Sequence, residues 1–229
     1  MTLSVIVPVF NEQNTIKEVL KQVSEAPLTI DKEIIVVDDG SFDRTPQILQ
    51  KLKKNFRFKL LSHPKNKGKG AAIKTGLAQA AGDFIIIQDA DLEYDPKEYQ
   101  KLINPLIKGQ AKIVYGSRNL IKNPRFSKKN FWGGKFLSFI FSSLFGQKIT
   151  DINTCYKVFK KEVFAHITLK ENDFAFCVEV SCQAAKAGYK IIEVPIHYRP
   201  RSFKEGKKMR CWHDGLRGLW CIIKCRVSD

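Results

Sequence analysis

Acidic residues gather in three short clusters, each directly after a run of apolar residues. Asn11-Glu12 follows Leu3–Phe10, Asp38-Asp39 follows Glu33–Val37, and Asp89 with Asp91 follows Phe84–Gln88. Apolar runs of this length read as buried strands, so each cluster sits at a strand's carboxyl end. If the strands are parallel, those ends share one edge and the clusters converge on one crevice. Carboxylates concentrated in a chain of net charge +16 need a reason. A divalent cation bridging to phosphate supplies one. Mg²⁺ and Mn²⁺ take oxygen ligands and are usually held by one or two carboxylates plus substrate phosphates. Any one cluster taken singly is equally well explained as turn acids that end a strand; three in register are not. Asn66-Lys67-Gly68-Lys69-Gly70 precedes a helical pattern and is expected to approach phosphate through backbone N–H groups. It matches neither a Walker loop nor GxGxxG, because Ile73 stands at the third glycine's place, and it also fits a plain loop-to-helix turn.

Strands and helices alternate to position these clusters. Ile16, Val19, Leu20 and Val23 recur at helical spacing, with Thr15 and Glu18 resembling a capping box. Thr45-Pro46 opens a second helix, Phe58–Leu61 reads as a strand, and residues 69–81 as a helix. Asp95-Pro96 starts another helix and Lys112–Tyr115 makes a fifth strand. Later come an apolar segment, Phe131–Gly146, a helix over Val178–Ala187, a strand at Lys190–Val194 and a basic tail. The alternation implies an α/β fold with a mostly parallel sheet and helices on both faces.

The ordered motifs resemble those of family 2 glycosyltransferases. They are Pro8-Val9-Phe10-Asn11-Glu12, Asp38-Asp39-Gly40-Ser41-Phe42-Asp43-Arg44-Thr45, Asn66–Ala71, Asp89-Ala90-Asp91-Leu92-Glu93, Gly116-Ser117-Arg118, Asp151–Lys157, Val194–Tyr198 and Pro200–Lys208. The set is similar to the polyprenyl (dolichyl) phosphate mannose and glucose synthases and covers nearly the whole chain. The resemblance implies a GT-A, Rossmann-like fold over residues 1–229 as a single domain. Residues 1–118 form its nucleotide-sugar-binding half and 119–229 its acceptor- and membrane-facing half. It implies inverting transfer of a hexose from a nucleotide diphosphate sugar (GDP-mannose or UDP-glucose) to a polyprenyl phosphate. Pro8, Phe10, Glu12, Val37 and Asp39 are then expected to hold the nucleoside, and Lys69 the donor. Asp89, Ala90 and Asp91 form the DxD element, with Asp89, Asp91 and Glu93 as ligands of Mg²⁺ or Mn²⁺. Some relatives carry Gln where this chain has Glu93. Arg118, Arg201 and Lys207 match residues that contact diphosphate or acceptor phosphate. Asp91 and Arg201 are the expected centre of catalysis, since metal and arginine stabilise a departing diphosphate. A lipid phosphate acceptor is already ionised and needs no strong base. A saccharide hydroxyl acceptor, the alternative, needs one, and Asp151 is the candidate.

Composition narrows the partners. The chain has 229 residues, 44% of them hydrophobic and 27% charged, enough for a proper core. Between Tyr99 and Thr150 there is no Asp or Glu, but there are ten Lys or Arg. Within this block Phe131–Phe145 is aromatic and too short to span a bilayer, which suits an interfacial helix on anionic lipid or a helix packed on the sheet. Met209–Val227 is a second basic, apolar segment of the same kind. The fold is thus expected to carry basic amphipathic helices in its C-terminal half. The expected location is cytoplasmic, on the inner face of the membrane, held peripherally or through a membrane-anchored partner protein. Six cysteines lack CxxC spacing and read as reduced thiols. No nucleic-acid-binding signature is present, and a nucleic-acid partner would leave the carboxylate crevice unexplained.

Overall fold

The structure, a computed structural model, describes residues 1–125, 127–201 and 211–227. Seven strands form one sheet: β1 (Thr2–Val9), β2 (Asp31–Asp38), β3 (Lys59–Ser62), β4 (Phe84–Ile87), β5 (Ile113–Ser117), β6 (Lys157–Lys160) and β7 (Ile191–Pro195). Their order is β3-β2-β1-β4-β6-β5-β7. All pairings are parallel except those of β6, which runs antiparallel between β4 and β5. β6 was not expected from the sequence. Its four residues, Lys157–Lys160, lie where the charged flanks obscure a short apolar core. The remaining strands fall within two residues of expectation.

The helices are α1 (Ile16–Glu25), α2 (Thr45–Leu52), α3 (Lys69–Leu77), α4 (Tyr99–Ile107), α5 (Lys128–Phe145), α6 (Phe176–Lys186) and α7 (Cys211–Val227). The central strands are buried on both faces, as continuous apolar runs such as Phe84–Ile87 require. One core cluster joins α1 and α4 to the sheet through Leu20, Val23, Leu102 and Ile103. Another joins α5, α6 and α7 to the opposite face through Phe141, Phe176, Val180 and Ile222.

The expected capping box at Thr15 does not form. Thr15 makes no side-chain cap; its hydroxyl lies 2.7 Å from the Ala90 carbonyl oxygen and 2.8 Å from Glu12 Oε2. The hydroxyl therefore ties the start of α1 to the loop after β4. The sheet places the carboxyl ends of β1, β2, β4, β5 and β7 on one edge, together with the amino end of β6. Every chemically interesting loop emerges there.

Candidate active site

A cavity of about 1050 Å³ opens beyond that edge. Pro8, Phe10, Glu12, Asp39, Lys69, Asp89, Ala90, Asp91, Glu93, Arg118 and Arg201 all contribute to its wall. These come from six separate loops, so the parallel topology does what the sequence spacing required of it. Val37 does not line the cavity. It is fully buried in a small cluster with Ile6, Ile35 and Ala72. Lys207 lies outside the described residues.

The loops after β1 and β2 are stitched together by short polar side chains. Asn11 adopts a left-handed conformation (φ 51°), which asparagine tolerates. Its Oδ1 accepts from the Phe42 N–H at 3.0 Å, and its own N–H donates to Ser41 Oγ at 2.9 Å. Asp39 accepts from the N–H groups of Lys67 (3.0 Å) and Gly68 (2.8 Å) and from His63 Nδ1 (2.6 Å). The turn expected to offer its N–H groups to phosphate thus spends two of them on Asp39. A third, from Ala71, goes to the Asn172 carbonyl. Gly68 has φ +99°, and a Cβ there would run into the Asn172 carbonyl oxygen, so glycine is required twice over. What this turn delivers to the cavity is the Lys69 ammonium, 2.5 Å from Asp89 Oδ1. Burial acts to lower the Lys69 pKa, but the attraction and hydrogen bond of Asp89 together with the neighbouring Cys155 and Cys177 hold the group well above its ordinary range.

Asp91 is nearly buried and crowded. Burial raises its pKa first, Asp89 and Glu93 add to this, and Arg201 opposes; the balance lies at about 7. Arg201 bridges the cluster, with Nη2 3.3 Å from Asp91 Oδ2 and Nη1 3.2 Å from Glu12 Oε2. Among the described residues no three Asp, Glu, His or Cys side chains are arranged to hold a metal ion. Asp89 and Asp91 nevertheless fit one. They supply the one or two carboxylates that suffice when phosphates complete the shell. A carboxylate pushed to about 7 by burial and then by like-charged neighbours is also what a cation would relieve. Glu93 is differently employed. Its Oε1 accepts from the Arg201 N–H (2.7 Å) and its Oε2 from the Tyr198 hydroxyl (2.5 Å), while its carbonyl accepts from the Arg199 N–H (3.0 Å). Glu93 pins the segment after β7 and so puts Arg201 in place.

Arg118 is held as firmly. Its Nε and Nη2 donate to the two oxygens of Asp151, both at 2.7 Å, and its N–H donates to Oδ2 at 3.0 Å. Its guanidinium stacks 4.9 Å from the Tyr198 ring centroid. Asp151 is itself steadied by Glu193, which accepts from the N–H groups of Thr150 (2.8 Å) and Asp151 (3.0 Å). Asp151 is buried, absent from the cavity wall, and engaged by arginine on both oxygens. His63, Tyr198 and Glu193 had no assigned role in the sequence reading. Only Tyr198 carried a signal, as part of the Val194–Tyr198 motif.

Apolar side chains share the lining of the cavity. Phe136 and Leu137 of α5, Phe174 and Val178 at α6, and Leu216 and Leu219 of α7 line it. Outside it, Trp132 and Phe139 on α5 and Trp220 and Ile223 on α7 stand exposed, and the cavity-lining Phe136 and Leu216 are exposed as well. Arg125 lies 3.7 Å from the Phe131 ring centroid, and Lys135 lies near both Phe131 and Trp132. No helix among the described residues is long and apolar enough to cross a membrane.

The family description "Glycosyl transferase family 2" matches residues 4–168. The chain belongs to that family. Family 2 relatives include the dolichol-phosphate mannosyltransferase of Pyrococcus furiosus, 30% identical over 98% of this chain and 64% of that protein. This chain therefore spans less than two thirds of that relative's length. The UDP-N-acetylglucosamine–dolichyl-phosphate N-acetylglucosaminyltransferase of Methanococcus voltae is 32% identical over 83% of each. In three dimensions this family 2 fold superposes on glucosyl-3-phosphoglycerate synthase from Mycobacterium tuberculosis, solved with Mn²⁺, UDP and glucosyl-3-phosphoglycerate. The TM-score is 0.77 at 20% identity, covering all of this chain and 81% of that one. The fold is GT-A, as the motifs implied.

Proposed function

We propose that this family 2 chain transfers a hexose, with inversion, from a nucleotide diphosphate sugar to a polyprenyl phosphate at the cytoplasmic membrane face. The observation that carries the reading is the cavity's mixed wall, in which carboxylates and arginines share the lining with apolar residues of α5, α6 and α7. A nucleotide diphosphate suits the charged residues and a phosphorylated isoprenoid suits both kinds. Two relatives, each a dolichyl phosphate sugar transferase by name, support the acceptor class.

Pro8, Phe10, Glu12 and Asp39 would bind the nucleoside, with Asp39 held by His63 and the loop at Lys67 and Gly68. Asp89 and Asp91 would hold Mg²⁺ or Mn²⁺, which when bound supplies positive charge to the departing diphosphate. Arg201 adds its charge at the same place and Arg118 receives the acceptor phosphate, both preorganised by carboxylates rather than recruited from solvent. An acceptor phosphate arrives as the anion, so no proton need be removed before attack. The double engagement of Asp151 by Arg118 supports a positioning role for Asp151 and disfavours its use as a base. The exposed aromatic face of α5 and α7, rimmed by Lys and Arg, supports peripheral contact with anionic lipid.

The test offers radiolabelled UDP-glucose, GDP-mannose and UDP-GlcNAc in turn, with polyprenyl phosphate and Mn²⁺, and counts label in the organic phase. Label there, abolished by EDTA, is expected from one donor. Nucleotide release only when an oligosaccharide is added would overturn the lipid acceptor and bring Asp151 back as a base.

A further inference from the structure

Three cations in the cavity wall meet carboxylates, and they are held differently. Arg118 donates to both oxygens of Asp151, and Arg201 reaches both Glu12 and Asp91. Lys69 makes single-point contacts: its ammonium lies 2.5 Å from Asp89 Oδ1, 3.1 Å from Cys155 Sγ and 5.5 Å from the Phe174 ring centroid. Its backbone is fixed on both sides. Asp39 accepts from the N–H groups of Lys67 and Gly68, and the Ala71 N–H donates to the Asn172 carbonyl. Any change at Lys69 is therefore a swing of the side chain alone. A guanidinium forked between oxygens is fixed in direction, whereas an ammonium on a four-carbon stem is a point charge on rotatable bonds. Of the three, Lys69 gives up its carboxylate at least cost. That carboxylate, Asp89, is one of the two that fit a divalent ion. Mg²⁺ sits about 2.0–2.1 Å from its oxygen ligands. The side chains of Lys69 and Asp89 are only 12% and 13% exposed, so little water would screen an ion from the ammonium on a shared carboxylate.

We propose that Lys69 is the internal counter-ion of the metal site: it holds Asp89 while no divalent ion is bound, yields it to the ion, and turns to the donor's diphosphate. The ammonium and the ion compete for one carboxylate, so the ion alone binds more weakly than the acids would allow. Once released, the ammonium stays in the cavity wall, because its backbone cannot leave. It then offers its charge to the phosphates that the ion also attracts. Ion and donor thus bind better together than singly. The proposal rests on the reading of Asp89 and Asp91 as ligands of the ion and is independent of the acceptor.

The experiment measures Mn²⁺ binding to the whole protein without nucleotide, from the electron paramagnetic resonance of the free ion. Lys69→Gln should bind Mn²⁺ about tenfold more tightly than wild type. Lys129→Gln removes the same charge from an exposed side chain of the cavity wall and should change affinity by less than about threefold. Equal effects of the two variants, weaker binding by Lys69→Gln, or no Mn²⁺ bound by any form would each overturn the proposal. A second readout uses wild type and needs no folded variant: acetylation by acetic anhydride, mapped lysine by lysine. Mn²⁺ should raise labelling of Lys69 about threefold or more relative to Lys129, since an amine without its carboxylate loses its proton more readily. GDP or UDP added with Mn²⁺ should lower it again. Unchanged labelling with Mn²⁺ bound overturns the displacement, and labelling that neither nucleotide lowers overturns the turn to diphosphate. Neither readout needs sugar transfer, so failure of the lipid-acceptor reading leaves both outcomes intact.

Discussion

Asp91 is where burial and charge conflict most openly. Its pKa is raised from 3.8 to about 7, so the folded chain binds a proton there that the unfolded chain has lost. Stability from this group is therefore present below about pH 4 and falls as pH rises through about 7. In EDTA, wild type should lose melting temperature between pH 5 and pH 8 relative to Asp91→Asn, by roughly 3 °C or more. Thermal unfolding at both pH values checks this. The same variant should retain the fold by circular dichroism yet lose sugar transfer by about 100-fold or more. Arg118 gives a second test at this scale. Asp151→Asn leaves a bidentate guanidinium without its counter-charge and should cost about 3 kcal/mol in urea unfolding. The sequence singled out Asp151 and Arg118 but did not show that they belong together. They stand 33 positions apart, and only the loops after β5 and before β6 bring them into contact. Val37, expected at the nucleoside, sits in the core, because the central strand β2 is buried on both faces and its alternate side chains Val36 and Val37 enter separate core clusters.

Elements carry the next set of consequences. The α3 amino end meets the loop before α6 at backbone distance, and Gly68 and Gly70 make that approach possible. Gly68→Ala should lower stability by about 1 kcal/mol or more, because it adds both a left-handed strain and a clash. Chemical denaturation measures it. α5 is split between two duties. Phe141 is buried against α6 and α7 whereas Phe139, two residues earlier, is 66% exposed. Phe141→Ala should cost roughly 3–5 kcal/mol, and Phe139→Ala should leave stability nearly unchanged while weakening vesicle binding. Sequence reading left α5 open between an interfacial and a packed helix; the structure shows one face packed on α6 and α7 and the other exposed. Strand positions were legible because apolar runs end in polar clusters. β6 was not, since four residues offer too little pattern to separate a strand from its flanking motif.

At the scale of the whole molecule, charge and apolar exposure fall together. The net charge of +16 and the aromatic faces of α5 and α7 predict binding to anionic vesicles that weakens as salt rises. Co-sedimentation with phosphatidylglycerol vesicles at about 0.05 and 0.5 M NaCl should show it, with neutral vesicles binding far less. The sheet's parallel character was legible from alternation alone. The shared edge on which six loops meet followed from it, and with it most of the cavity wall. What the chain's pattern did not disclose were contacts between distant loops, such as Glu93 with Tyr198 and Arg201.

The lone antiparallel strand has a consequence for assembly. β1 to β4 are contiguous in space and nearly so in sequence, so they can dock as the polypeptide leaves the ribosome. β5 is synthesised before β6 but reaches β4 only through it. Until Lys157–Lys160 emerges, β5 has no place in the sheet, and Arg118 just beyond it has no Asp151 to meet. β7 then adds against β5 at the sheet's edge, so the loops carrying Arg118 and Arg201 depend for their place on the strand that emerges last but one.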